Sequence, residues 1–236
     1  MKTSTRIAII IPAFNEAFTI KKVVQSVLAS LKKAKITADV FVIDDGSTDA
    51  TAELATEAGA FVVHHILNSG VGSATATGIA YAHQKNYDLA VTMDADDQHS
   101  PQDAIKGLGL MQKGDIDLLI GSRLIDAQGM SRLKQFGNRS LSFITFLLFG
   151  VSVTDSQSGL RVFSKEALAQ LRWKTAGYEF CSEMIWRAKQ QGLTIGEYPI
   201  KAIYTDYSKA KGQNNWNAFY LIKTLLRHRI AELMHE

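Results

Sequence analysis

Short runs of near-continuous apolar residues alternate with stretches of helical periodicity through the first 120 residues, and this alternation limits the folds open to the chain. The runs are 6–12, 38–44, 60–64, 88–93 and 117–121, rich in Ile, Val and Leu. Apolar runs without a polar alternate face predict strands of a parallel sheet covered on both sides. Between the first two, Ile20, Val23, Val24, Val27, Leu28 and Leu31 recur at helical spacing, with Asn15 as the expected N-cap. A second helix is expected after Ser47 or Thr48, ending near Gly59, a third after Gly72, and another from about Pro101. The pattern predicts an α/β doubly wound, mostly parallel sheet with helices on both faces.

In such sheets ligands bind beyond the carboxyl ends of the strands, so the residues just after each strand are the candidates for chemistry. Here they are polar. Ile11-Pro-Ala-Phe-Asn-Glu16 follows the first strand, Val42-Ile-Asp-Asp-Gly-Ser-Thr-Asp49 closes the second, and Met93-Asp-Ala-Asp-Asp-Gln-His99 closes the fourth. In extended backbone, residues two apart point the same way, so Asp94 and Asp96 can present their carboxylates together. Two close carboxylates repel unless a cation joins them. Mg²⁺ or Mn²⁺ suits hard oxygen ligands and completes its shell with phosphates and water, and Gln98 can add an amide oxygen. Asp44 and Asp45 can accept from a base or ribose hydroxyls, and Pro12 or Phe14 can line the same pocket.

In this order the three strings resemble the family-2 glycosyltransferases of GT-A fold. Met93 to Pro101, Gly121-Ser-Arg123, Asp155-Ser-Gln-Ser-Gly-Leu-Arg-Val-Phe163 and Tyr178-Glu-Phe180 resemble, more narrowly, the dolichyl- or polyprenyl-phosphate sugar synthases. The likeness spans about Arg6 to Gln213. It implies Pro12, Phe14, Glu16, Asp44, Asp45 and Asp94 around the nucleotide, Asp94, Asp96 and Gln98 around a divalent cation, and Arg123 at an acceptor phosphate. Lys134, Asn138 and Arg139 are further candidates for that phosphate. A guanidinium suits it, because its fork donates two parallel hydrogen bonds. Ser208, Lys209 and Lys211 lie in a loop resembling the one that relatives close over the donor. One position departs from the pattern: where relatives usually read Asn-x-Gly-Lys-Gly, this chain reads Asn68-Ser-Gly-Val-Gly72, with Val71 in the place of the lysine.

Charge is uneven: residues 1–120 carry 10 Lys and Arg against 14 Asp and Glu, residues 121–236 carry 16 against 9. An acidic half suits a cation, and a basic half suits anionic headgroups or a phosphate. We therefore expect one domain over 1–213, with a donor and metal half at 1–120 and an acceptor half at 121–213. Residues 214–236 are expected to form an amphipathic helix. The apolar segment 141–149 is either a core helix or an interfacial one; with 141–151 the longest apolar run, no span of the roughly 20 residues that cross a bilayer is expected.

A single cysteine, Cys181, excludes an internal disulfide and reads as a core residue. His64, His65, His83, His99, His228 and His235 show no ligand or triad spacing and read as structural. The expected protein is cytoplasmic and peripheral on the cytoplasmic face of a membrane. It would move a hexose from a GDP- or UDP-linked donor to a polyprenyl phosphate, with no nucleic-acid partner. A homo-oligomer or a separate membrane-protein partner fits as well. Two other readings stay open: transfer to a glycan hydroxyl, with Glu179 or Glu183 as base, and a sugar-nucleotide-binding protein without turnover.

Overall fold

The computed structural model describes residues 5–127, 129–203 and 223–227. The five expected strands form as β1 (Ile7–Ala13), β2 (Asp39–Asp44), β3 (Phe61–His64), β4 (Leu89–Thr92) and β5 (Leu118–Ser122). Two more, β6 (Arg161–Ser164) and β7 (Ile195–Pro199), complete one sheet of order β3-β2-β1-β4-β6-β5-β7. All pairings are parallel except those of β6, which runs antiparallel between β4 and β5. The sheet therefore takes strands from both halves of the sequence.

β1 shows why its run is apolar throughout. Ile7, Ile9 and Ile11 enter one core cluster, and Ala8 and Ile10 enter the other, on the opposite face of the sheet. Each buried isoleucine contributes roughly 1.5–3 kcal/mol relative to exposure. The first face is covered by α1 (Ile20–Ala34), α2 (Thr51–Glu57) and α4 (Pro101–Met111). The second is covered by α3 (Val71–Gln84), α5 (Arg132–Phe149), α6 (Lys165–Gln170) and α7 (Phe180–Gln190). Gly78 lets α3 lie close on β1, since a Cβ there would stand 2.3 Å from Ile10.

Two expected caps are corrected. Asn15 does not cap α1, whose N-cap is Thr19. It adopts φ 53°, its amide donates to Ser47 Oγ at 2.9 Å, and its side-chain oxygen accepts from the Thr48 amide at 2.9 Å. Asparagine tolerates this left-handed conformation better than most residues. Ser47 and Thr48 are thereby engaged with the loop after β1 and do not cap α2, which begins at Thr51 after Ala50. α3 starts one residue before Gly72, and α4 starts at Pro101 as expected, with Ser100 accepting from the Gln102 amide.

Candidate active site

Pro12, Phe14, Glu16, Asp44, Asp45, Asp94, Asp96, Gln98 and Arg123 all lie within β1, β2 or β5 or on the loops after β1, β2, β4 and β5 at the carboxyl edge. Pro12 is a buried part of β1, and Phe14 is exposed beyond it.

Asp94 is held from two sides. His99 Nε2 lies 2.9 Å from its Oδ2, and Gly159 packs against the carboxylate so tightly that a Cβ would stand 2.2 Å from Oδ1. Gly159 is itself fixed by Thr92 Oγ1, which donates to its carbonyl at 2.9 Å. Burial opposes ionisation of Asp94, but the adjacent His99, with Arg123 and Arg161 farther off, holds its carboxyl below the usual aspartate range. Asp96 behaves oppositely. Burial and then the Asp94 charge push its carboxyl up to about 6, although the Gln98 amide donates to Oδ1 at 3.0 Å. Glu16 adds to the push.

A carboxylate whose pKa is raised by a neighbouring carboxylate sits against that charge, and a cation relieves this. Among the described residues no three His, Cys, Asp or Glu side chains gather as a closed cation site. Two protein carboxylates instead fit Mg²⁺ or Mn²⁺ sharing its shell with substrate phosphates and water. Asp94 and Asp96, with the side-chain amide oxygen of Gln98, are the groups that would hold it. The glycine fit gives a first expected outcome. Gly159→Ala should displace the Asp94 carboxylate, cutting turnover and Mn²⁺ affinity while circular dichroism stays native.

Asp45 is tied into the protein itself. It is buried, its Oδ1 meets His65 Nδ1 at 2.7 Å and the Ser69 amide at 2.9 Å, and its Oδ2 accepts from the Gly70 amide at 2.8 Å. The carboxylate thus clamps residues 65–70 to the end of β2. Asp44 accepts from the Ser47 amide and lies 3.2 Å from His64 Nδ1. Three of the histidines read as structural therefore brace Asp44, Asp45 and Asp94. Two of these partners lie 20 residues apart, where spacing gives no signal. Val71, in the place of the family's lysine, opens α3 and packs against the core.

Arg123 forms a bidentate pair with Asp155: Nε donates to Oδ2 at 2.7 Å and an Nη to Oδ1 at 2.9 Å, while its backbone amide also donates to Oδ2. Asp155 is fully buried, and although burial opposes its ionisation, Arg123 holds the carboxyl below its usual range. Glu197 of β7 accepts from Thr154 and the Asp155 amide, so β5, the loop before β6 and β7 share one polar network. A narrow recess joins Arg123 to Gln98, His99, Ala202 and Ile203. Arg161 carries no sign of a role in its local sequence. It is buried, donates to the carbonyls of Ser156, Ser158 and Cys181, and so shapes the turn that presents Gly159 to Asp94.

Lys134, Asn138 and Arg139 lie on the first half of α5. Glu183 is nearly inaccessible, and its carboxylate accepts from the Lys174 and Thr175 amides and pairs with Arg187. Cys181 is a core residue as expected, and burial pushes its thiol up to about 11. Ser208, Lys209, Lys211, His228, His235 and most of the segment 214–236 expected to be helical lie outside the described residues. Residues 223–227 are helical, and Leu225 is buried in the core.

An open α/β sheet with one antiparallel strand beside a paired-aspartate loop is the GT-A fold. The chain belongs to glycosyl transferase family 2, whose family model matches residues 8–172. It is 39% identical over 252 residues to the UDP-N-acetylglucosamine–dolichyl-phosphate N-acetylglucosaminyltransferase of Methanococcus voltae, covering 97% of this chain and 98% of that one. It is 28% identical to the polyprenol monophosphomannose synthase of Mycolicibacterium smegmatis, over 94% and 87% of the two chains. Its fold matches that of glucosyl-3-phosphoglycerate synthase from Mycobacterium tuberculosis, solved with Mn²⁺ and UDP-glucose, with a TM-score of 0.73 at 22% identity. That match covers 95% of this chain and 79% of the other.

Proposed function

We propose that this glycosyltransferase moves a hexose from a nucleotide diphosphate donor to a polyprenyl phosphate at a membrane surface, with inversion at the anomeric carbon. The observation that carries this reading is the recess in which the acidic loop, through Gln98 and His99, meets Arg123. It sets the loop that carries Asp94 and Asp96 beside a guanidinium whose charge acts on the Asp94 carboxyl. The names of the Methanococcus voltae and Mycolicibacterium smegmatis relatives support a lipid phosphate acceptor, and the first favours UDP over GDP.

A phosphate monoester has its second pKa near ~6, so the acceptor is largely ionised at neutral pH and needs no general base. Arg123, held rigid by Asp155, supplies positive charge to position it. Asp94 and Asp96 hold the divalent cation, which would neutralise charge building on the departing diphosphate. Residues 65–70, clamped by Asp45, and the Asp44 turn form the nucleotide side. A hydroxyl acceptor would need a carboxylate base; Glu183 is spent on two backbone amides and Arg187, which leaves the buried Glu179 as the candidate for that second reading. The deciding assay compares a polyprenyl phosphate with the same alcohol lacking phosphate; sugar on the alcohol would overturn the reading.

Membrane contact is proposed through α5, which packs Phe149, Leu141 and Leu148 on the core and yet keeps a second apolar face outward. Ser142 and Thr145 face inward, bonding Ser156 and Ser182, while Leu133, Phe136, Phe143, Phe146 and Leu147 are exposed. At 3.6 residues per turn these five, with exposed Arg132 and Arg139, fall within less than half of the helix circumference. Apolar side chains interleaved with cations suit an interfacial helix. Among the described residues no helix is long and apolar enough to cross a membrane. Replacing Phe136, Phe143 and Leu147 together by serine should abolish flotation with anionic vesicles while sparing donor binding. Unchanged flotation would remove α5 as the contact.

A further inference from the structure

We propose that His99 is a positioning residue for the cation site, fixing the Asp94 carboxylate before a cation arrives. The inference rests on the reading of Asp94 and Asp96 as cation ligands and adds a residue to it. His99 Nε2 stands 2.9 Å from Asp94 Oδ2, and the imidazole is 2% exposed. Its other nitrogen, Nδ1, is buried with no hydrogen-bond partner. A buried polar atom left unmet is destabilising, so an apolar side chain of similar size would fill this space at less cost. The bond to Asp94 is what an apolar side chain cannot supply. Because a carboxylate accepts, it selects the tautomer with the proton on Nε2.

The local backbone is bent to make this contact. Between Asp96 and His99, Asp97 adopts φ 63°, a left-handed conformation that is strained for a residue with a side chain. It is held there by Lys22 of α1, whose Nζ lies 2.5 Å from the Asp97 carboxylate. The bend returns the chain so that residue 99 reaches under residue 94, and Ser100 at once caps α4, anchoring the imidazole to a helix. Gly159 closes the opposite side of the same carboxylate. Asp94 thus has little rotational freedom left to lose on binding, which raises affinity without a new ligand. Hydrogen-bond partners of ligating carboxylates act in this way, and their loss typically costs 10–100-fold in metal affinity.

The test uses the full chain and three substitutions: His99→Ala, His99→Leu, which packs but cannot donate, and His99→Gln, whose amide nitrogen can stand near Nε2. Mn²⁺ affinity without nucleotide, the Mn²⁺ dependence of turnover and the melting temperature are measured for each. His99→Ala and His99→Leu should weaken Mn²⁺ binding by about 10–100-fold and shift the Mn²⁺ requirement equally, with turnover largely restored at saturating Mn²⁺. His99→Gln should recover much of the affinity. A purely structural histidine would lower the melting temperature in all three and leave Mn²⁺ affinity unchanged, which would overturn the inference. A wild-type protein that neither binds Mn²⁺ nor needs a divalent cation would overturn the cation reading itself, and His99 with it.

Discussion

Asp96→Asn is expected to abolish sugar transfer, by about a thousandfold, while making the metal-free protein more stable at neutral pH. Both effects come from one carboxylate. Burial and the neighbouring Asp94 charge raise its folded pKa from 3.8 to about 6, so the fold binds this proton more tightly than the unfolded chain does. Stability from that proton is fully present below pH 3.8 and is lost as pH rises through 6. Above pH 6 the ionised side chain therefore costs the empty site an amount of the order of 2 kcal/mol. The uncharged asparagine removes that cost, and melting should rise by roughly 4–8 °C at pH 8 with little change near pH 4. Mn²⁺ should raise the melting temperature of wild type and leave the variant unmoved. Melting curves at both pH values, with and without Mn²⁺, check this alongside turnover. Near-normal turnover of the variant at saturating Mn²⁺ would remove Asp96 from the site.

Arg123→Met should lower stability by about 3–5 kcal/mol, because it strands the buried Asp155 carboxylate without its partner. The pair has a definite pH signature. Asp155 is held below its usual value of 3.8, so its contribution is present above that pH and fades as acid protonates it below. The acid limb of the wild-type stability curve should accordingly be steeper than that of Arg123→Met. Removing the stranded charge with a second change, Asp155→Asn, should recover part of the loss. Such a double variant separates two roles that the single one confounds. If Arg123 also holds the acceptor phosphate, the double variant folds and binds nucleotide sugar but transfers poorly to lipid phosphate. Normal acceptor kinetics in a stable double variant would confine Arg123 to a structural role.

What the sequence made legible follows from the range of each interaction. β1 to β5 could be read because a parallel strand buried on both faces must be apolar along its length, as Ile7 to Ile11 are. The paired aspartates could be read because neighbours in sequence stay neighbours at a strand end. β6 escaped notice because it has four residues and opens with a buried arginine, whose charge is met by carbonyls that only the fold brings near. Asp45 looks like a ligand residue in its motif, and its use on Ser69 and Gly70 depends on a loop 24 residues away. The Arg123 pair spans 32 residues and gives no local sign. α5 was legible as an apolar segment, but which of its residues turn inward was not, because the partners of Ser142 and Thr145 lie on Ser156 and Ser182.

The central claim, transfer of a sugar to a lipid-linked phosphate, is tested most directly by following radiolabel from a UDP-linked hexose into an organic-soluble product. The assay contains the purified chain, Mn²⁺, vesicles and a polyprenyl phosphate. The account requires label in the lipid fraction only when the phosphate, the cation and intact Asp96 are all present, with the product bearing the opposite anomeric configuration to the donor. Label transferred equally well to a glycan or to an unphosphorylated polyprenol, or transfer undiminished by chelator, would contradict it.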